Sequence, residues 1–277
     1  MRGMMVRVIG SLLVSLCLSS VAAAEGVWSS TAEEAGGGVW SQSKAEAEAA
    51  GEAPDLSDAE WFVRDVMVSI FYHELGHALI DVMQLPVLGL EEDAADVLSV
   101  VMIDRLWDAE SAEAKVAAAA TFWGTSAAQS AEAGYDTAFW GVHSPDERRY
   151  FTYLCLFYGG APQEREAMAV EFGLPEDRAA SCPDEFDLAA SSWGVYLDEL
   201  EAAGPGDSFV WVGGGADDYV SQAIREEVDY LNSVWTLPEP VAVQVASCDE
   251  ANAFYSPGEK TITMCTEMAD YAISMAP

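Results

Sequence analysis

An α+β fold, mostly helical with a small sheet near the C-terminus, is what this sequence predicts. Three observations carry the expectation. Apolar residues recur with a helical period over long stretches from about Ser57 onward. Strand signals are few and short, at Phe209–Val212, Val241–Val245 and Thr261–Met264. Finally, one long helix carries His73-Glu74-Leu75-Gly76-His77, and the segments after it offer that motif partners.

The first 24 residues read as a secretory signal peptide. Arg2 and Arg7 precede an apolar run from Val8 to about Leu18, and Val21-Ala22-Ala23-Ala24 makes a small-residue end. The run is short for a membrane span. Cys17 raises lipid anchoring as a minor alternative, although Leu16 before it is bulky for such processing. The expected location is periplasmic or extracellular, without stable membrane insertion. Residues 25–56 are rich in Ala, Glu, Gly and Ser, with an echo of Gly-Val-Trp-Ser at Gly26 and Gly38, and predict a disordered linker. One domain is expected over 57–277.

Order is predicted to begin at Ser57, which forms a Ser-x-x-Glu capping box with Glu60. Trp61, Phe62, Val66, Ile70, Phe71 and Leu75 make apolar rows that lead into the histidine motif. Pro86 and Gly89 stop that helix and turn the chain. A second helix starts at about Glu91, and a third, rich in Ala, covers about Ala109 to Ala131. Further helices are expected over Asp146–Tyr158, Cys182 to about Ala203 and Asp217 to about Trp235. The last two strands are expected to face each other around Tyr255-Ser256-Pro257-Gly258.

The chain has 47 Asp and Glu against 12 Lys and Arg, a net charge of −35. Removing the leader takes away Arg2 and Arg7 and no acid, which moves −35 to −37. Such a surface repels nucleic acid and anionic membranes, and the three lysines, Lys44, Lys115 and Lys260, form no basic patch.

On a helix, His73 and His77 lie one turn apart on one face, with Glu74 about 100° round from His73. Two imidazoles so spaced can grip a zinc ion, and the intervening carboxylate stands where it can act as a base on water. Hydrolysis is the chemistry implied. The bland alternative is an amphipathic helix with two core histidines. Against it stand the scarcity of His, three in all with two in the motif, and Gly76, which implies a close neighbour at a position where glycine costs about 1 kcal/mol relative to Ala. A third ligand is available on the second helix, where Glu92 and Asp96 are one turn apart and one can support a ligating imidazole. Glu91 is the rival ligand, but the residue four later is Ala95. Acidic residues also simply favour a helix N-terminus. His143, the one histidine outside the motif, is a candidate oxyanion donor, an alternative third ligand or a capping residue. Tyr150 and Tyr153 compete for the oxyanion role, and Arg148 and Arg149 are candidates to pair with buried carboxylates.

The Glu-x-x-x-Asp spacing resembles the third-ligand helix of thermolysin-like zincins, the gluzincins. That resemblance implies Glu92 as ligand and Asp96 as the partner of a ligating histidine. More widely, HELGHALID, Leu85-Pro86-Val87, the Glu91–Asp96 run, His143-Ser144, Cys155, Tyr158-Gly159, Cys182-Pro183-Asp184-Glu185, Ser192-Trp193, Cys248, Asn252-Ala253-Phe254-Tyr255 and Ile262 to Cys265 are similar to a bacterial family of zinc metallopeptidases of unknown substrate. The resemblance spans residues 58–268 and implies a zincin-like domain that hydrolyses peptide or protein substrates. In that family the Asn-Ala-Phe-Tyr segment is expected ahead of the zinc helix, whereas here it comes last. Zincins hold an extended peptide against a sheet edge above the zinc helix. The C-terminal hairpin is therefore expected to fold back and supply that sheet, a circular permutation. Two other readings stay open: an exported scaffold with a stabilising zinc and no catalysis, and an amidase acting on cell-wall material.

Once Cys17 leaves with the leader, four cysteines remain, and an even number in an exported chain favours disulfides. Of the three pairings, Cys155 with Cys182 and Cys248 with Cys265 each bracket a local unit. A four-thiolate zinc site is the alternative, weakened by the absence of Cys-x-x-Cys. Closing the second loop stabilises the fold by roughly 3 kcal/mol in the chain-entropy model.

Overall fold

The computed structural model describes residues 56–213 and 218–277. The expected leader and almost all of the expected linker lie outside the described residues. Helix α1, Asp58–Val82, starts as anticipated: Ser57 N donates to the Glu60 carboxylate at 2.8 Å, and Glu60 N donates back to Ser57 Oγ at 3.3 Å. It is buried on nearly all sides from Phe62 to Val82, as expected of an apolar helix running through a core. Around it pack α2, Glu91–Leu106, and α3, Ala109–Glu132, with α4, Asp146–Gly160, against both of these. Two short helices follow, α5 at Glu166–Glu171 and α6 at Glu176–Ala179, and then α7, Cys182–Ala203, which packs on α4. No described helix is long and apolar enough to cross a membrane.

The sheet belongs to the last third of the chain. Strand β1, Phe209–Trp211, runs through helix α8, Tyr219–Val234, to β2, Val241–Ala246, which is parallel to β1. Strands β3, Ala253–Ser256, and β4, Thr261–Cys265, follow, and helix α9, Thr266–Ile273, packs back on α1. The order is β1-β2-β4-β3.

This corrects the expected hairpin. Strand β2 does not turn back on β4; the two are parallel, with Ala242 opposite Thr261 and Ala246 opposite Cys265. The hairpin is made by β3 and β4, antiparallel with Tyr255 opposite Ile262. The turn begins only at Pro257, so Tyr255 and Ser256 are strand residues rather than loop. The expected placement does hold, because the hairpin lies on α1. Tyr255 OH donates to Asp81 Oδ2 at 2.7 Å, and Lys260 Nζ reaches the same oxygen at 2.6 Å. Both disulfides form as paired above, Cys155–Cys182 joining α4 to α7 and Cys248–Cys265 tying the β2–β3 link to the end of β4.

Two core contacts fix α1. At Gly76 it meets α2 so closely that an added Cβ would stand 2.9 Å from Ala95 Cα. On another side Tyr72 OH donates to Glu227 of α8 at 2.6 Å and accepts from Trp107 Nε1 at 3.0 Å. Burial pushes the Glu227 carboxyl up.

Gly76→Ala is expected to destabilise the fold by about 1–3 kcal/mol, because the obstructing atom is backbone and cannot swing away; thermal melts with and without added zinc check it. For Glu227, a raised folded pKa means a stabilising contribution present below the unfolded value of about 4.5 and lost progressively as pH rises. Glu227→Gln keeps an acceptor for Tyr72, so its melting temperature should gain on that of the wild type as pH is raised from 4.5 to 8. A constant difference over that range would refute the assignment.

Candidate metal centre

Helix α1 presents His73 and His77 one turn apart, and α2 crosses it at Gly76. Glu92 lies three residues before Ala95 on α2, and Asp96 follows it, so the crossing carries both carboxylates to the histidines. His73 Nε2 and His77 Nε2 are 3.3 Å apart. Glu92 Oε2 is 3.2 Å from the first and 3.3 Å from the second. Three ligand atoms thus form a nearly equilateral triangle, the one such group of metal-ligating side chains among the described residues.

The other ring nitrogens are engaged separately. His73 Nδ1 pairs with Asp96 Oδ1 at 2.8 Å, and His77 Nδ1 with Glu91 Oε1 at 2.8 Å. Each imidazole is anchored through Nδ1 by a carboxylate, which leaves Nε2 turned to the triangle. Asp96 is itself gripped by Arg149, with Nε on Oδ2 at 2.8 Å and NH2 on Oδ1 at 2.6 Å. The guanidinium stacks 3.5 Å over the ring of Trp123. His73, Glu74, Asp96 and Arg149 are all buried.

Their electrostatics follow from that packing. Burial raises Asp96, but Arg149 and His73 together outweigh it, so the carboxyl is held below its usual range. Burial likewise works against charge on Glu92, yet hydrogen bonds from His143, His73 and His77 hold it far below the ordinary carboxylate range. Glu74 is the exception. Burial pushes it up, and its carboxylate makes no hydrogen bond among the described residues.

His73, Glu74, His77, Glu92, Asp96 and His143 are therefore brought together. His143 Nε2 is 2.9 Å from Glu92 Oε2, on a half-exposed side chain whose ring stacks 6.4 Å from that of His73. The two tyrosines are not part of the site. Tyr150 OH donates to the Phe172 carbonyl, and Tyr153 is buried with its hydroxyl beside Ser69. Arg149 pairs with a buried carboxylate as anticipated, whereas Arg148 is exposed and only 3.7 Å from Asp93. What the sequence reading missed is the part of Glu91: its carboxylate lies on His77 Nδ1, away from the triangle that Glu92 completes. Its signal was there in principle, since a carboxylate adjacent to a ligand on one helix is well placed to reach the ligand's neighbour on the other.

Elemental analysis of purified protein separates these parts. Glu92→Ala should lose bound metal altogether, while Glu91→Ala and Arg149→Ala should retain it with about 10- to 100-fold weaker affinity, the usual cost of removing a group that orients a ligand. Loss in Glu91→Ala as complete as in Glu92→Ala, with metal retained in Arg149→Ala, would mean that Glu91 ligates directly.

Neither the curated proteins nor the solved structures contain a match to the chain. A family model does match, over residues 38–197 and 219–275, which take in α1 with both histidines, α2, α4, most of α7 and the whole sheet apart from β1. By that match, the chain belongs to the family described as "putative metallopeptidase".

Proposed function

We propose that this protein is a zinc-dependent peptidase of the gluzincin kind, with His73, His77 and Glu92 as ligands. The triangle of ligand atoms is the observation that carries the reading. Bonds of about 2.0–2.1 Å to a tetrahedral zinc place its ligand atoms about 3.3–3.4 Å apart, and the three edges here are 3.2, 3.3 and 3.3 Å. Zinc held there supplies a Lewis acid and an acidified water.

The chain's own groups do the rest. Asp96 and Glu91 keep the two imidazoles in the tautomer that offers Nε2. Glu74, next to His73 and free of hydrogen bonds, takes a proton from water and passes it to the leaving amine, and its raised pKa suits both halves of that task. His143, already aimed at Glu92 Oε2, is placed to donate to a carbonyl oxygen as negative charge develops on it. Strand β3 is an edge of the sheet, paired with β4 on one side only. Tyr255 of that strand and Pro257 beyond it share a cleft of about 340 Å³ with His77, Asp81 and Glu91. An extended peptide added to β3 would lie across the histidines.

A purely stabilising zinc site is the competing reading. Such sites close the metal with four protein ligands, whereas the ligand group among the described residues has three. A buried carboxylate whose pKa burial raises, as at Glu74, also costs stability that a scaffold gains nothing from. Export, with the first 24 residues as leader, accords with the two disulfides.

Labelled casein is the general probe of activity. Glu74→Gln should lower its hydrolysis by about 100- to 10,000-fold, the scale of general acid–base catalysis, with zinc content unchanged. Hydrolysis at the wild-type rate in that variant would remove Glu74 from the mechanism.

A further inference from the structure

A second cavity, of about 730 Å³, opens between the 85–90 link, α2, α4 and α7. From α2 it is lined by Asp93, Ala94, Asp96 and Val97, and not by Glu92. Val97, Phe151, Leu156 and Trp193 form its walls, and Leu88 and Leu188 stand at its surface, the first fully exposed and the second 68% exposed. Large apolar side chains left in water around an apolar cavity of this size mark a binding site.

Its charge narrows the occupant. Three arginines line it, and each has a carboxylate: Arg149 with Asp96 at 2.6 Å, Arg178 with Glu185 at 2.6 Å, and Arg148 with Asp93 at 3.7 Å. In a chain of net charge −35 this is a locally balanced spot with no surplus of either sign. An occupant that carries charge would gain no partner there and would lose its hydration. An uncharged apolar one loses nothing of the kind.

The cavity also adjoins the cleft beside the metal centre, since Ile80 and Leu85 line both. We propose that it receives an uncharged, apolar stretch of the peptide substrate, displaced from the scissile bond past Leu85. The substrate class is then a peptide with a cluster of large apolar residues to one side of the cleaved bond. The proposal rests on the peptidase reading above.

The test uses zinc-loaded Glu74→Gln protein, which binds without turnover, and two fluorescein-labelled 15-residue peptides, one with a Leu-Phe-Val-Leu cluster and one with Ser at those four places. Anisotropy should show the apolar peptide bound at least about tenfold more tightly, as burial of several large side chains implies. That advantage should vanish in Leu88→Glu/Leu188→Glu, whose substituted side chains are exposed and so spare the fold, and in Val97→Trp, which fills the cavity. An advantage that survives in both variants overturns the proposal, and so does dodecanol that saturates the cavity without displacing the peptide. Zinc content and casein hydrolysis of the wild type are measured alongside. Their failure, with cavity-dependent peptide binding intact, would overturn the peptidase reading and not the cavity.

Discussion

The metal centre depends on how closely α1 and α2 approach at Gly76. Packed helices usually run about 8–10 Å apart, depending on the side chains between them. Here the partner of Gly76 is Ala95, and a Cβ on the glycine would already collide with the Ala95 backbone. The two smallest side chains thus occupy the crossing. The consequence is geometric: Glu92 and Asp96 flank Ala95, and only a close crossing lets a glutamate reach both Nε2 atoms while an aspartate reaches Nδ1 behind one of them. Glycine inside a helix lowers its intrinsic stability, and the burial of α1 on nearly every side makes that tolerable.

Holding the triangle also requires acids and imidazoles to stay fixed in a dry setting. Desolvation opposes charge at His73, Asp96, Glu92 and Arg149 alike. The solution is a continuous series: Trp123 under Arg149, Arg149 on both oxygens of Asp96, and Asp96 on His73. Removing one member of a buried charged series leaves the next without compensation, so such groups hold one another in place more than they add net stability. Glu74 stands outside the series, as would suit the proton-transfer role proposed for it.

Legibility in the sequence followed the range of the interaction. Helices α1, α2, α3, α4 and α7 were readable because their period, caps and breakers are local. The HELGH motif was readable for the same reason, and Glu92 with Asp96 through one-turn spacing. The Cys155–Cys182 and Cys248–Cys265 pairs were readable because each closes a local unit. The sheet was less so. Ala253–Ser256 precedes Pro257-Gly258 and looks like the approach to a turn, and it becomes strand through β4 opposite it and Asp81 beneath Tyr255. The parallel pairing of β2 with β4 leaves no local trace, because the chain passes β4's place, makes β3 and returns. Arg149 reaches Asp96 across 53 residues, and its sequence neighbour Arg148, with the same charge, faces solvent.

That contrast between two adjacent arginines points to how so acidic a chain assembles at all. Acids far outnumber cations, so the acidic surface repels itself, and each buried carboxylate needs either a cation or a proton. The cations are placed accordingly. Arg149 meets Asp96, Lys115 meets Asp65 at 2.9 Å while covering the ring of Trp107, Arg64 meets Glu226 at 2.6 Å, and Lys260 meets Asp81 at 2.6 Å. Three of these four pairs involve α1, two at adjacent residues in its N-terminal half, Arg64 and Asp65, and one in its last turn, Asp81. The helix that carries both histidines is therefore the element that most of these ion pairs involve. The pair with Lys260 also docks the β3–β4 hairpin, the wall of the cleft. One set of ion pairs thus serves two ends, letting an excess of negative charge remain outside while fixing the sheet edge beside the metal centre.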